Sequence, residues 1–261
     1  MHTFTLIGAG SVATHFAVAL VRAGMQPCQV YSRTERSANA LAEIIHAQPV
    51  THLNDLTDDA HLYIVALTDN VIAQLLPDIC SQRRHRLFCH TAGSVDMDVF
   101  RPYADHYGII YPLQTLSLQH HIDMRRVPLF VEACDDDTLR QLTDIARAMV
   151  PASVTEASSL QRRKLHLAAV FAANFVNHCY DVAHHLLSDE GFDFDVLRPL
   201  IAETADKINT LTPQEAQTGP ARRHDTNTIN AHLHMLMAQP QLHKLYQTLT
   251  ESIQTLHRAD Q

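Results

Sequence analysis

The chain has 261 residues, 46% hydrophobic and 18% charged, with a formal charge of −8 at pH 7. That length allows one large or two modest domains with cores of their own, and the acidic balance argues against a nucleic-acid partner, whose phosphates demand a net basic face. No run approaches the ~18 apolar residues of a membrane span, and five scattered cysteines without a C-x-x-C pair fit reduced thiols in the cytoplasm rather than a disulfide or zinc framework.

The first strand, Phe4–Ile7, starts so near Met1 that no room remains for a cleavable leader. It runs into Gly8-Ala9-Gly10-Ser11-Val12-Ala13 and then an amphipathic helix, Val12–Ala23. This is the G-x-G-x-x-G/A dinucleotide fingerprint. Gly8 allows the tight turn, Gly10 admits a pyrophosphate to the backbone, and Ala13 lets helix and strand pack closely. The helix N-terminus then aims free N–H groups at the phosphates. Gly24 closes the helix, as a C-terminal glycine does.

The second strand, Cys28–Tyr31, leads to Ser32-Arg33-Thr34. An NAD site usually carries an acid about 20 residues after the glycines. Here two hydroxyls and a planar cation suited to phosphate stand instead, which predicts NADP over NAD; a solvated Arg33 is the plain alternative. A helix from about 34 to 45 follows, then a weak strand near Val50 and a clear one at Leu62–Ala66. Next come an amphipathic stretch at Val71–Ile79 and strands at Leu87–His90, Gly108–Tyr111 and Leu129–Glu132. A helix over Leu139–Met149 and a strand at Val154 complete the alternation. That pattern predicts an α/β fold, a doubly wound and mainly parallel sheet over residues 1–155.

Ligands in such sheets lie beyond the carboxyl ends of the strands. Leu67, Thr68 and Asp69 there face the cofactor's adenosine and phosphate half, although Asp69 and Asn70 also suit a helix cap. His90, Thr91 and Ala92 pass the nicotinamide, with Ser94 toward substrate; an ordinary loop capped by Ser94 or Asp96 is the alternative. After the sixth strand, Tyr111-Pro112-Leu113-Gln114-Thr115 offers Gln114 as a neutral partner for a carbonyl, carboxylate or amide, or simply turn chemistry around Pro112.

From 156 to 261 the pattern is all helical, at about 159–188, 194–211, 225–237 and 240–257. The first of these would span about 45 Å, too long for a small domain to cover. Leu165, Ala169, Ala172, Val176, Cys179, Ala183 and Leu186 form an apolar stripe, with Val170, Phe171 and Phe175 on other faces. A helix apolar all round is buried all round, which predicts a homodimer; a monomer covered by the later helices is the alternative. His166, Asn174, Asn177, Asp181 and His184 fall within an arc of about 80° on an ideal helix. Such groups need partners, either in a network across the dimer or in a cleft facing substrate. Lys164 lies on another face. In Thr218-Gly219-Pro220-Ala221-Arg222-Arg223-His224-Asp225, the last residue reads as a helix cap. Thr218 and Arg222 are candidates for holding an anion, with solvated cations as the alternative. Nineteen histidines show no metal-ligand spacing, so no metal is expected.

The set Gly8–Ala13, His90–Ser94, Tyr111–Thr115, Lys164–Phe171, Asn174–His178, Glu203-Thr204 and Thr218–Arg222 resembles one bacterial family. Its members join a Rossmann-like NADP-binding domain to a C-terminal helical domain of unknown function. The family is similar in architecture to pyrroline-5-carboxylate reductase, prephenate dehydrogenase and the 6-phosphogluconate and 3-hydroxyacid dehydrogenases. The resemblance implies a dimerising helical domain with the site between domains, and names no reaction. Hydroxyacid dehydrogenases pair a Lys with an Asn four residues on, where Ala168 stands here, and the K-x-x-H-N spacing of the phosphogluconate enzymes is not met by Lys164 and His166.

These features together suggest an NADP-dependent oxidoreductase moving a hydride to or from a small carbonyl or imine. His166 would trade the proton, with Lys164 its rival; Asn174 and Asn177 would orient the substrate and Arg222 would hold a carboxylate. The alternative is an NADP(H)-binding sensor or assembly protein without turnover.

Overall fold

The computed structural model describes residues 2–120, 122–150 and 153–257. Contacts divide the chain into two units, Met1–Cys179 and Tyr180–Gln261. The break falls inside a helix, whereas the sequence reading set the boundary at residue 155.

In the first unit the strands are β1 (Thr3–Ile7), β2 (Gln26–Tyr31), β3 (Gln48–Val50), β4 (Leu62–Val65), β5 (Leu87–His90), β6 (His106–Pro112), β7 (Leu129–Ala133) and β8 (Val154–Glu156). They form one sheet in the order β3-β2-β1-β4-β5-β6-β7-β8. Strands β1 to β6 pair in parallel, so β1 and β4 meet where the winding reverses. Strand β7 runs antiparallel to β6. The reason is the connection: parallel pairing needs a crossover, and between β6 and β7 there is only a loop with one 3₁₀ turn, Met124–Arg126.

Alternating side chains feed two cores. Phe4, Leu6, Ile64 and Cys89 pack with Phe16 and Leu20 of α1 (Ser11–Arg22), Leu41 of α2 (Glu35–Ile45) and Leu142 of α4 (Asp136–Met149). Ile7, Tyr63, Val65 and Phe88 pack on the other face with Ile72 and Leu76 of α3 (Asp69–Cys80). Strands covered on both faces read as unbroken apolar runs, which is why the sequence marks them clearly. Gly24 has φ +85° and its N–H reaches the Val21 carbonyl at 3.0 Å, ending α1 as expected.

The long helix after β8 is not one regular helix. Ser158 and Gln161 cap each other's backbone at the start of α5 (Ser159–Ala169). A π turn over Val170–Phe175 follows, then α6 (Val176–Ser188). No residue of the π turn or α6 is buried, so the all-round cover read from the sequence is not met within this chain. In the second unit follow α7 (Arg198–Lys207), α8 (Pro213–Ala216), α9 (Thr226–Met235) and α10 (Pro240–Leu256). Asp225 caps α9 by accepting the Thr228 N–H at 3.1 Å, as the sequence suggested. Among the described residues from 180 onward, Ala221, Ile229 and Leu236 are the buried hydrophobics, while Leu200, Met235 and Leu256 are more than 60% exposed.

Candidate active site

The site begins at the turn from β1 to α1. Gly8 has φ +117°, and a Cβ there would lie 2.3 Å from the Ala66 carbonyl oxygen at the end of β4. Only glycine serves where the two central strands come this close. At Gly10 a Cβ would meet nothing within 4 Å: it faces open space at the N-terminus of α1, whose first turn carries no acidic residue. Ala13 is fully buried beneath. An accessible backbone, free helix N–H groups and no opposing carboxylate fit the pyrophosphate of a dinucleotide.

Two hollows meet at this turn and share Gly10, Ala66, Leu67 and Thr68. The smaller, about 310 Å³, is lined by Gly8, Ala9, Tyr31, Ser32, Arg33 and Ser37. The larger, about 570 Å³, is lined by Ser11, Val12, Asp69, Thr91, Ala92, Gly93, Tyr111, Gln114, His166 and Asn174, among others. That volume falls in the range of small-molecule sites. A hollow of about 600 Å³ beside α1 and the end of α4 includes none of these residues.

At one side of the cleft the Tyr111 hydroxyl lies 3.1 Å from His166 Nδ1, with the rings edge to face. Burial pushes the Tyr111 phenol above its usual pKa. Gly93 makes room for this pair, since a Cβ there would come within 2.7 Å of His166 Nδ1 and 3.0 Å of Tyr111 Cε2. The Ser94 hydroxyl donates to Asp69 Oδ2, joining the loops after β5 and β4. Gln114 Oε1 accepts the Thr115 N–H at 2.8 Å, so it also serves the turn.

The π turn decides which asparagine reaches the cleft. On a regular helix His166 and Asn174 stand about 80° apart and His166 and Asn177 about 20°. One extra residue in a π turn sets all later residues back by about 100°. Asn174 thereby comes to within about 20° of His166 and Asn177 swings to about 80°. Accordingly Asn174 lines the cleft and Asn177 does not.

Other expected site residues take different places. His90 is fully buried; its Nδ1 accepts the Ala92 N–H at 3.2 Å, its ring stacks on Phe100, and it does not line the cleft. Burial, aided by nearby Arg162, pulls its pKa down to about 3. Thr34 caps α2, accepting from the Ser37 N–H and donating to the Ser37 hydroxyl. Lys164 is exposed and outside the lining. Thr218 and Arg222 belong to the second unit, in the segment between α8 and α9. Sequence reasoning gave no role to Tyr111, Gly93 or Ser37. The signal for Tyr111 was its place near the carboxyl end of the sixth strand.

The fold and this turn define a Rossmann-like protein, and residues 2–115 match the Rossmann-like domain family. Residues 127–253 match a domain of unknown function, DUF2520. The chain is similar to a Bacteroides fragilis protein whose crystal structure was described as that of a candidate NADP oxidoreductase. The two are 45% identical, with 97% of this chain and 98% of that one covered and a TM-score of 0.93. The chain belongs to that family, in which a Rossmann-like domain precedes DUF2520. Its fold is shared with 1-pyrroline-5-carboxylate reductase of Streptococcus pyogenes, at 11% identity, 97% and 98% coverage and a TM-score of 0.63. The imine reductase of Myxococcus stipitatus, solved with NADP+, gives 16% identity, 98% and 93% coverage and a TM-score of 0.62. No curated protein matches this chain in sequence. Among the described residues no helix is long and apolar enough to cross a membrane, and no group of His, Cys, Asp or Glu could hold a metal ion.

Proposed function

We propose that this protein is an NADP-dependent oxidoreductase that transfers a hydride between nicotinamide and a small carbonyl or imine. The observation that carries the reading is the Tyr111–His166 pair, which lies in the same cleft as the glycine turn. The cofactor, when bound, supplies or takes the hydride; the protein supplies binding, orientation and one proton.

Gly8, Ala9, Gly10, Ser11 and Val12 hold the pyrophosphate, and Leu67, Thr68 and Asp69 flank it. Ser32, Arg33 and Ser37 surround the adenosine end, with no acidic side chain in that lining, which favours a ribose phosphate over a bare hydroxyl. Thr91 and Ala92 border the reacting end. There Tyr111 engages His166 Nδ1, so Nε2 is the nitrogen that trades a proton with the substrate oxygen or nitrogen. The phenol, its pKa raised by burial, stays protonated and can donate to a neutral ring or accept from a charged one. Asn174 and Gln114 orient the substrate through their amides. Lys164, outside the lining, has no part in this scheme.

The protein works as a homodimer in the cytoplasm, its C-terminal helices covered by a second copy. The support is the sparse burial beyond residue 180 together with exposed Leu167, Phe171 and Phe175.

The first experiment is calorimetric titration with NADPH, NADH and NADP+, followed by a screen of small keto acids and imines for NADPH oxidation. Tight NADPH and weak NADH are expected, and Arg33→Asp should lower the NADPH-to-NADH affinity ratio about tenfold or more. No binding of any dinucleotide would sink the reading. Binding without turnover on any substrate would favour a sensor instead.

A further inference from the structure

The first turn of α5 is fastened by one buried arginine. Arg162 is 1% exposed. Its Nη1 pairs with Glu132 Oε2 of β7 at 2.6 Å, and its Nη2 donates to the Val95 carbonyl and to Ser159 Oγ at 3.3 Å. Glu132 also accepts the Ser159 N–H at 2.6 Å and the Ser159 hydroxyl at 2.7 Å. Beside it, Arg163 Nη1 reaches Asp96 Oδ2 at 3.3 Å.

Val95 and Asp96 close the loop that opens with Thr91, Ala92 and Gly93 in the cleft. Helix α5 is therefore tied twice to that loop and once to the sheet. His166 lies four residues after Arg162, on the same face of the helix, with its ring against Gly93 and Tyr111.

Stability alone is a poor account of such a pair. Desolvation offsets most of the attraction in a buried ion pair, and apolar side chains of similar volume often do as well. Arg162 Nε, moreover, has no hydrogen-bond partner among the described residues. A forked guanidinium gives direction instead: its two nitrogens fix Glu132 and Val95 in one geometry that a flexible ammonium does not reproduce.

We propose that Arg162 is a positioning residue, whose fork sets α5 against the 91–96 loop and β7 and so keeps His166 Nδ1 on the Tyr111 hydroxyl. The inference rests on the reading of His166 as the proton carrier, but its test does not need turnover. Full-length protein with ¹⁵N-labelled histidine rings is compared by NMR as wild type, Arg162→Met and Glu132→Gln, with His166→Gln identifying the signals.

In the wild type the two His166 nitrogens should show distinct shifts, as a ring held in one hydrogen bond does. In Arg162→Met and Glu132→Gln those shifts should collapse toward the averaged values of a free imidazole. NADPH affinity should stay within about twofold of wild type, because the glycine turn and Arg33 are untouched. Unchanged His166 shifts in a folded variant overturn the proposal, even if that variant melts lower. A loss of NADPH affinity above about tenfold also overturns it, since the whole cleft would then have moved. If Arg162→Met does not fold, Glu132→Gln, which removes the charge and keeps the shape, carries the test. A wild type that binds no NADPH would sink the oxidoreductase reading while leaving the His166 result interpretable.

Discussion

The sheet and the C-terminal helices use the same kinds of apolar residue to opposite ends. Between Phe4 and Val150 the strands and helices bury nearly every large hydrophobic within one chain, in two layers. From 180 onward well-capped helices leave Phe192, Val196, Leu200, Ile208 and Leu256 exposed. Local helix signals and a closed core are separate achievements: capping and periodicity produce the first, and the second needs a partner surface. The first region is complete in itself, and the second is half of something.

The largest test of that contrast lies in the cleft. If the first region contains its own chemistry, His166→Gln should cut turnover about 10²–10⁴-fold at unchanged NADPH affinity, read by single-turnover NADPH oxidation with a substrate from the screen. Tyr111→Phe should act on the same step by a smaller factor. Near-normal rates in His166→Gln would remove the ring from the reaction.

Gly8→Ala should destabilise the sheet region by about 3 kcal/mol or more, since it combines a φ of +117° with a Cβ 2.3 Å from a backbone oxygen. Denaturant melts should show this loss at every protein concentration.

In the second region the effect should instead depend on concentration. Phe171→Asp, which puts a charge on an exposed aromatic that contacts Phe175, should weaken self-association about 100-fold. Light scattering should show dimers shifting to monomers on dilution. A wild type that is monomeric at micromolar concentration would break the comparison, because the helices would then be stable uncovered.

The smallest effect concerns pH. His90 titrates near 3 when folded and near 6.5 when unfolded. Above pH 6.5 it is neutral in both states and contributes no pH dependence. Below that the unfolded chain binds the extra proton, so stability falls by about 1.4 kcal/mol per pH unit until the folded pKa is reached. His90→Gln should flatten this part of the acid limb between pH 6.5 and 4.5, measured as melting temperature against pH. An unaltered slope would mean that His90 is less enclosed than its burial indicates.

The sequence disclosed unequal parts of this molecule for physical reasons. The glycine turn and the double-faced strands depend on neighbours a few residues away, so their pattern is local and readable. The reversal at β7 depended on a missing crossover rather than on the strand itself. Asn174 and Asn177 were indistinguishable on an ideal helix, because the π turn that separates them leaves no periodic trace. His90 carried the same polar signal as its neighbours Thr91 and Ser94, and only its strand-end burial against Phe100 sets it apart. Tyr111 paired with His166 across 55 positions, a contact that no window along the chain contains.

The π turn also has a bearing on how such a site could change over time. Loss of a single residue between Val170 and Phe175 would restore a regular helix and turn all that follows by about 100°. Asn177 would then come round toward the cleft as Asn174 left it, so one amide would replace another without any substitution at either position. A deletion here would act as a change of active-site residue, and two relatives differing by that one gap would align well while presenting different side chains to the substrate.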